Sequence, residues 1–426
     1  MERLRILLPA TLIFLAWSGG AQAAKVSAPE VEQYPGAEIE ATAMFVGEPG
    51  EANDVTVTES GSSADVMDED AGAPITAGEN CESLDEHTAR CFGPITVVDT
   101  RLADGDDTIH MVTATDGSPL YALASGGSGD DHLFGSAEFE FLDGNAGEDT
   151  VEGGGGDDWI DGGADADDLS GDDGSDHIDG GTGTDHLNGG EGGDRLNGEG
   201  ENVLPAGADT IEGGPGEDLV SYYLRPKRID VDLARGTGNG AEGEGDVLSG
   251  IEDVEGSYGG GRIAGDAGPN RLVAGIADAP TVLSGRGGDD TLVGGFEDDV
   301  LSGGYGDDVL RGWGDNRFHG GAGADELQTQ SLGGSGVDRG ISCGPDEDIV
   351  STADYEDLIP RSCERARLDR GFQVSPLLRR AEGAAILIDL ERPRGLRRCR
   401  AVVGLYGPAP AGATEEPRKI AFGRFV

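Results

Sequence analysis

Positive charge is scarce in this sequence. The 426 residues include 30 Lys and Arg against 83 Asp and Glu, which gives a formal net charge of −53. Because nucleic-acid binding rests on basic side chains that neutralise phosphates, this balance argues against DNA or RNA as a partner. HExxH, GxSxG and Walker motifs are also absent. We therefore expect a protein that is not an enzyme.

Apolar runs are equally scarce, and the clearest one lies near the amino terminus. Arg3 and Arg5 precede an apolar segment, Ile6–Trp17, and small residues follow at Ala21–Ala23. This order is typical of a cleavable secretory signal peptide over residues 1–23. A retained membrane anchor is the alternative, but the run is short for a span and no Cys follows it for lipid attachment. We expect a secreted, extracellular protein with no membrane span in the mature chain.

Cysteine is limited to five residues. In an exported chain they favour disulfides over metal or catalytic roles. Proximity in sequence predicts the pairs Cys81–Cys91 and Cys343–Cys363 and leaves Cys399 over, although the spacing alone leaves other connectivities open. Each loop closed in this way stabilises the fold by about 3 kcal/mol.

Glycine, by contrast, is abundant, and its 76 residues are in phase with the acidic ones. From Gly144 to Asn197 the chain consists of six consecutive nine-residue copies, each with Gly at the first place, Asp at the sixth and an aliphatic residue at the eighth. A solvated Gly/Asp-rich spacer is the alternative suggested by composition, but a spacer has no reason to keep this register. A short fixed period is typical of a stacked solenoid.

Similar copies continue on both sides of this run. A degenerate copy at Leu102–His110 starts the series, and Gly126–Phe134 and Gly213–Ser221 are full copies. A second run extends from Gly285 to Gln328 and includes one shortened copy, Gly312–His319. Asp occupies the sixth place at Asp131, Asp149, Asp158, Asp167, Asp176, Asp185, Asp194, Asp218, Asp290, Asp299, Asp308 and Asp325. Between the runs, Gly261 and Asn270 take that place, so these copies lack the acidic side chain.

This combination of residues suits calcium. Calcium binds six to eight oxygens and mixes carboxylates with backbone carbonyls. A glycine-rich turn exposes carbonyls because glycine reaches backbone angles that are closed to other residues. The sixth-place Asp adds charge, and the eighth-place aliphatic side chain turns inward on a short strand. We therefore predict several Ca²⁺ ions between the turns, with weak or no binding around Gly261 and Asn270.

From Gly126 to Gln328, with one gap, the copies resemble the hemolysin-type calcium-binding repeat of the RTX proteins, GGxGxDxUx. The resemblance implies a parallel β-roll in which two nonapeptides form one turn and calcium lies between neighbouring turns on one face. By position, it makes the twelve sixth-place Asp residues the side-chain ligands, and Gly126, Gly153, Gly180 and Gly189 supply carbonyls. Asp165 and Glu297 replace the fourth-place Gly, so we expect distorted turns at both.

The flanks resemble those of secreted bacterial RTX-repeat proteins, although the export route of RTX toxins and proteases, which uses a carboxyl-terminal signal, is not implied. Zinc binding by His132, His177 and His186 is an alternative use of the repeats. These residues occupy the seventh place, which points outward, and two repeats per turn would put His177 and His186 on opposite faces. Solvated histidines are therefore favoured over a zinc site. The Asp-Asp pairs recur with the period, unlike the single carboxylate pair of a glycosidase. We therefore interpret the acidic turns as ion sites and not as general acids.

The sequence thus predicts an all-β protein, a parallel β-roll of nine-residue Gly/Asp repeats with small disulfide-tied β caps. Its expected role is calcium binding outside the cell with a structural, cell-surface or matrix function. Calcium ions and an anionic cell surface or matrix are the expected partners. The alternatives are a calcium-stabilised scaffold for an adhesive carboxyl-terminal module and a remnant of a secreted toxin or hydrolase. The predicted segments are a signal peptide (1–23), a polar β cap (24–125), a first calcium block (126–221), a degenerate stretch (222–284), a second calcium block (285–328), a Cys-containing cap (329–369) and an Arg-rich β-module or tail (370–426).

Overall fold

A computed structural model describes most of the repeat region and parts of both flanks. The described residues are 25–27, 41–47, 52–60, 63–68, 76–77, 81–84, 87–92, 95–112, 121–199, 207–223, 225–275, 279–330, 340–352, 363, 365–368, 385–389, 402–406 and 419–423. The predicted signal peptide and Cys399 lie outside them. All regular elements within them are strands. A helix able to cross a membrane does not occur in this part of the chain.

Eight strands precede or overlap the start of the repeats. They are β1 (Lys25–Ser27), β2 (Ala41–Val46), β3 (Asp54–Ser60), β4 (Ser63–Asp68), β5 (Thr76–Ala77), β6 (Cys81–Ser83), β7 (Thr88–Phe92) and β8 (Ile95–Arg101). A disulfide joins Cys81 to Cys91 at directly paired positions of β6 and β7, as the sequence predicted.

The first run of repeats forms short strands separated by tight turns. They are β9 (Thr108–Val112), β10 (Tyr121–Ser128), β11 (His132–Phe134), β12 (Glu140–Ala146), β13 (Thr150–Glu152), β14 (Trp159–Ala164), β15 (Asp168–Asp173), β16 (His177–Thr182), β17 (His186–Glu191), β18 (Arg195–Asn197), β19 (Thr210–Glu212) and β20 (Leu219–Ser221).

The degenerate stretch is also built of strands. It contains β21 (Ile229–Asp232), β22 (Thr237–Asn239), β23 (Asp246–Ser249), β24 (Asp253–Glu255), β25 (Gly261–Ala264) and β26 (Arg271–Val273).

The remaining strands comprise the second run and the carboxyl-terminal part. They are β27 (Thr281–Gly287), β28 (Thr291–Val293), β29 (Val300–Tyr305), β30 (Val309–Trp313), β31 (Arg317–Ala322), β32 (Glu326–Gln330), β33 (Gly340–Ser342), β34 (Ile349–Thr352), β35 (Arg365–Leu368), β36 (Ala385–Asp389), β37 (Val402–Tyr406) and β38 (Lys419–Gly423).

Strands two repeats apart pair in parallel, which confirms the predicted β-roll. Leu133 is in register with Val151, Val151 with Leu169, and Leu169 with Leu187, so each turn takes eighteen residues. Alternate repeats therefore fall in opposite sheets. The spacing follows from the repeat, because one nonapeptide supplies a turn and a short strand, and the next returns the chain to the other face.

One sheet, which we call the long sheet, runs through the whole roll. Its 17 strands include β8, β10, β12, β14, β16, β18 and β20, and it continues through β24, β26, β28, β30, β32, β34 and β35. The opposite face is covered by two sheets in succession. The first facing sheet has 12 strands and extends from β6 and β7 to β22 and β23, and the second facing sheet has six, from β21 to β33.

The facing sheets change over within the degenerate stretch. The first facing sheet ends where β22 pairs with β23 in antiparallel fashion, whereas β21 pairs with β25 and begins the second. The long sheet passes this point through β20, β24 and β26 without a break. The changeover is therefore confined to one face.

The parallel stack begins before the recognisable repeats. β3 pairs in parallel with β9, and β2 with β8, so the polar region ahead of Leu102 already contributes strands to both sheets. At the other end, the second predicted disulfide joins Cys343 to Cys363. β36, β37 and β38 form a separate antiparallel sheet.

In the regular repeats, the core consists of one inward aliphatic side chain per strand. In the central run these are the eighth-place residues, and all of them are fully buried: Val151, Ile160, Leu169, Ile178, Leu187 and Leu196. Burying such a side chain stabilises a fold by about 1.5–3 kcal/mol. Because each turn contributes only two, a single turn cannot be stable alone and depends on its neighbours.

Candidate calcium sites

The sixth-place Asp residues lie at the turn just before each strand and are buried with the aliphatic core. Hydrogen bonds hold them there. The peptide N–H of Asp149 donates to Oδ1 of Asp167 at 2.9 Å, and the N–H of Asp167 donates to Oδ1 of Asp185 at 3.0 Å. Each carboxylate is thus fixed by the backbone of the preceding turn on the same face.

These bonds form a ladder along each side of the roll. The ladder beside the first facing sheet joins Asn53, Asp107, Asp131, Asp149, Asp167, Asp185, Asp209 and Asp246. The ladder beside the long sheet has two parts, Glu140, Asp158, Asp176, Asp194, Asp218 and Glu252, then Asn270, Asp290, Asp308, Asp325 and Asp348.

The second carboxylate oxygen is the chemically unusual feature. Oδ2 is buried and accepts no hydrogen bond in Asp107, Asp131, Asp149, Asp158, Asp167, Asp176, Asp185, Asp194, Asp209, Asp218, Asp290, Asp308 and Asp325. Burying a charged oxygen without a partner is strongly unfavourable. A row of such oxygens therefore requires protons or cations, and carboxylate oxygens are ligands that calcium prefers.

The first-place glycines provide the space beside these oxygens. A Cβ added to Gly153 would lie 2.8 Å from Oδ2 of Asp158 and 2.7 Å from the carbonyl oxygen of Gly171, one turn later. Added Cβ atoms at Gly126, Gly180 and Gly189 would likewise meet the Asp of their own repeat. The absence of a side chain thus leaves a cradle bounded by a carboxylate and a carbonyl oxygen, which fits calcium.

Carboxylates alone do not complete a site. Within the described ranges, no three His, Cys, Asp or Glu side chains converge in an arrangement that could hold a metal ion. The ligand set would therefore combine sixth-place carboxylates with backbone carbonyls, a mixture typical of calcium.

The two turns that lack the fourth-place glycine behave differently. Asp165 adopts a left-handed conformation with φ of 82° and keeps the ladder intact, so the distortion expected there is absent. At Glu297 the turn does change. Oδ2 of Asp299 accepts the N–H of Gly295 at 2.6 Å, so this oxygen is already engaged.

Asp299 also has no acidic neighbour in its ladder. Its ladder, beside the second facing sheet, runs from Thr281 through Asp299 to Asn316. Of the predicted ligands, Asp299 is thus the one whose surroundings depart from the common pattern. In the second run, the ladder of successive Asp residues lies beside the long sheet.

Burial raises the pKa of the ladder carboxyls, and nearby carboxylates add to the effect, whereas the N–H groups that bind Oδ1 lower it. The pKa is raised to about 8 for Asp158 and Asp167, about 7 for Asp131, Asp185, Asp290 and Asp325, and about 6 for Asp176, Asp218, Asp299 and Asp308. These shifts reflect crowded negative charge that a cation would relieve.

Sequence reasoning missed several members of the ladders. Asp209 and Asp246 follow insertions, Asp348 belongs to a copy that begins with Cys343, and Glu140 was hidden in the copy between Gly135 and Asp143. Counting back from the aliphatic residue would have found them, since each of these acids precedes its aliphatic residue by two positions. Glu140 differs chemically, because its carboxylate accepts bonds from Ser136.

The histidines do not form a shared site. His177 lies in the long sheet and His186 in the first facing sheet, as the two-repeat turn predicted. His177 stacks on Trp159 with 4.1 Å between ring centres, and His186 lies 3.8 Å from Asp168.

Comparison with protein families matches the same part of the chain. The model of the RTX calcium-binding nonapeptide repeat matches residues 124–147, 136–169, 143–178, 170–202, 206–222, 284–316 and 311–330. The chain carries RTX repeats. RTX repeats imply calcium binding, and the matches leave out the changeover of the facing sheets. Comparison with curated proteins gave no match.

Proposed function

We propose that this RTX-repeat chain is a secreted, non-enzymatic protein whose roll folds when its carboxylate ladders bind extracellular calcium. The observation that carries the proposal is the row of buried Oδ2 atoms without partners in a chain of net charge −53. Asp131, Asp149, Asp158, Asp167, Asp176, Asp185, Asp194, Asp218, Asp290, Asp308 and Asp325 would hold the ions together with first-place carbonyls. The role would be structural, at a cell surface or in a matrix.

The physical argument concerns repulsion between the turns. Without a cation, burial of neighbouring carboxylates opposes folding, so the chain stays open where calcium is scarce. Extracellular sites of low affinity have dissociation constants of about 0.1–1 mM, which matches the calcium level outside cells. The signal-peptide pattern over residues 1–23 supports export before folding.

The test is a calcium titration of the full chain followed by far-ultraviolet circular dichroism. We expect little β signal in chelator and a cooperative gain between about 0.1 and about 1 mM calcium. Magnesium at equal concentration is the control, because its preference for a small octahedral shell does not suit these turns. A spectrum unchanged up to about 10 mM calcium, tenfold above the expected range, would falsify the proposal.

The second candidate function is adhesion through the Arg-rich carboxyl-terminal part. β36, β37 and β38 form a sheet with no strand of the roll, and Arg residues are concentrated between Arg379 and Arg400. Basic patches attract anionic surfaces. A chain truncated after Arg370 should then lose binding to anionic vesicles but keep its calcium response. Equal vesicle binding by both chains would reject adhesion through this module.

A further inference from the structure

The last rung of the ladder beside the first facing sheet differs from the others. It is formed by Asp209 and Asp246, whose N–H to Oδ1 bond is 3.3 Å long. Asp246 belongs to a copy lengthened by one residue, from Gly240 to Ser249. A Cβ added to Gly240 would lie 2.5 Å from both Oδ2 of Asp246 and Oε2 of Glu244. A second carboxylate therefore faces the cradle of this rung.

A largely buried cation lies at the same place. Nη1 of Arg225 is 2.8 Å from Oε2 of Glu244, and the side chains of Arg225 and Glu244 are only 11% and 3% exposed. Cζ of Arg225 lies 5.0 Å from the ring centre of Tyr222. The hydroxyl of Tyr222 donates to Oδ2 of Asp246 at 3.0 Å. In Asp246, the oxygen that lacks a partner in the other aspartates of this ladder is thus satisfied.

The surrounding charge explains why a cation is needed. Glu199 is buried with neither carboxylate oxygen hydrogen-bonded, and Oδ2 of Asp209 also lacks a partner. Burial raises the pKa of Glu199 and Asp246 to about 7, and the charge of Arg225 opposes this rise. The guanidinium of Arg225 is thus surrounded by four buried acids: Asp209, Asp246, Glu199 and Glu244.

We propose that Arg225 is a built-in counter-ion that takes the place of calcium at the Asp209–Asp246 rung. The inference rests on the proposed function. Arg225 belongs to the segment that departs from the nonapeptide pattern after β20, at the point where the first facing sheet ends. A guanidinium stays charged under all ordinary conditions, so this rung always carries a compensating positive charge. The guanidinium excludes a calcium ion by repulsion, and as calcium is withdrawn this rung loses its structure after the calcium-bound rungs.

The experiment compares the full chain with Arg225→Gln, which removes the charge and keeps most of the volume. The number of bound ions at saturating calcium is measured by native mass spectrometry, with Arg271→Gln as the control, since Arg271 is 53% exposed. We expect Arg225→Gln to bind one more calcium ion than the wild type and the control. An equal or lower number in a folded variant overturns the inference.

Hydrogen exchange as calcium is withdrawn gives a second readout. In the wild type, peptides covering Thr210–Glu212 and Asp246–Ser249 should lose protection at a lower calcium concentration than the other strands of the first run, whereas in Arg225→Gln they should lose it together with those strands. Unchanged exchange in the variant contradicts the inference. A wild type that binds no calcium at all, yet protects these peptides more than Arg225→Gln does, would instead overturn the proposed function and leave the role of Arg225 standing.

Arg225→Lys covers the case in which the glutamine variant does not fold. The lysine keeps the charge without the planar group. If it binds the wild-type number of ions and loses protection at the same calcium concentration as the wild type, the charge is the decisive property. If it also fails to fold, packing of the guanidinium and not its charge holds the rung, and the counter-ion role is rejected.

Discussion

Adjacent aspartates in the turns have opposite surroundings. Asp167 is 3% exposed and belongs to a ladder, whereas the side chain of Asp168 is 74% exposed and points away from the roll. The alternation of a strand places one carboxylate inside and the next outside. The same dipeptide thus contains a candidate ligand and a matched control.

We expect Asp167→Asn to weaken calcium binding strongly and Asp168→Asn to leave it almost unchanged. Removing a group that merely supports a ligand costs about 10–100-fold in metal affinity, so losing a ligand charge should cost at least about tenfold at the affected ions. Isothermal titration of both variants measures this difference. Equal affinities in the two variants would show that the sixth place is not the ligand position.

The raised pKa values predict opposite effects of pH with and without calcium. The pKa of Asp158 and Asp167 is about 8 in the folded chain, above the ordinary value of 3.8. The calcium-free roll is therefore most stable below about pH 4 and loses this stability as the pH rises through about 6–8. In chelator, β signal should increase between about pH 8 and about pH 5.

Calcium affinity should fall over the same interval, because the ions need ionised carboxylates and protons compete with them. Circular dichroism in chelator tests the gain of β signal on acidification, and calcium titrations at about pH 8 and about pH 5 test the loss of affinity. The interpretation of the ladders would be wrong if acidification neither increased the β signal in chelator nor weakened calcium binding.

Asp165 is a residue under local strain. It occupies a left-handed position that glycine fills in most copies, and its charge raises the pKa of both Asp149 and Asp167. Asp165→Gly should stabilise the calcium-free chain by up to about 1 kcal/mol, since the left-handed conformation costs about 1–2 kcal/mol in most residues and less in Asp. Chemical unfolding measures the change, and a destabilised variant would contradict it.

Each strand of the roll depends on one inward side chain. Leu169 is fully buried and in register with Val151 and Leu187. Leu169→Ala should lower the free energy of unfolding in saturating calcium by about 2–5 kcal/mol. Val282→Ala, at an outward position that is 37% exposed, is the control and should change it little. Similar losses at both positions would contradict the inward and outward assignment.

At the level of strands, positions within regular copies could be predicted from the sequence, whereas positions that follow insertions were missed. The aliphatic and acidic places were read directly from the period. Asp209 was missed because a longer turn precedes it, although its bond to Asp185 follows the ladder. A turn can lengthen without moving the strand behind it, because closing a longer loop costs little. The pairing register of the strands is therefore kept even where the nine-residue spacing, on which sequence reasoning relies, is lost.

Conformational preference explains the two non-glycine turns. Asp visits the left-handed region more readily than other non-glycine residues, so Asp165 keeps the common turn. At Glu297 the turn changes and engages Asp299. The sequence marked both positions alike, and only the difference between the two side chains separates them.

The whole molecule is asymmetric along its length. The first run has acidic ladders on both sides, whereas the acidic ladder of the second run lies beside the long sheet. The break in the pattern between the runs was visible in sequence, but the continuity of the long sheet was not. Pairing between β20 and β24 joins residues separated by the whole changeover segment, and no local period records it.

This asymmetry predicts unequal effects of two similar substitutions in the second run. Asp308→Asn should reduce the number of bound ions at saturating calcium, because Asp308 lies between Asp290 and Asp325 in its ladder. Asp299→Asn should leave that number unchanged, because its neighbours are Thr281 and Asn316. Native mass spectrometry of both variants tests the difference. A reduced count in Asp299→Asn alone would reverse the assignment.

The unbroken long sheet has a mechanical consequence. With ions along the ladders on both sides, the first half of the roll would resist bending toward either side. The second half, braced on one edge, would be more compliant when its outer edge is pulled. A force applied along the chain would therefore open the molecule from the second half toward the first, and the changeover of the facing sheets marks where stiffness rises.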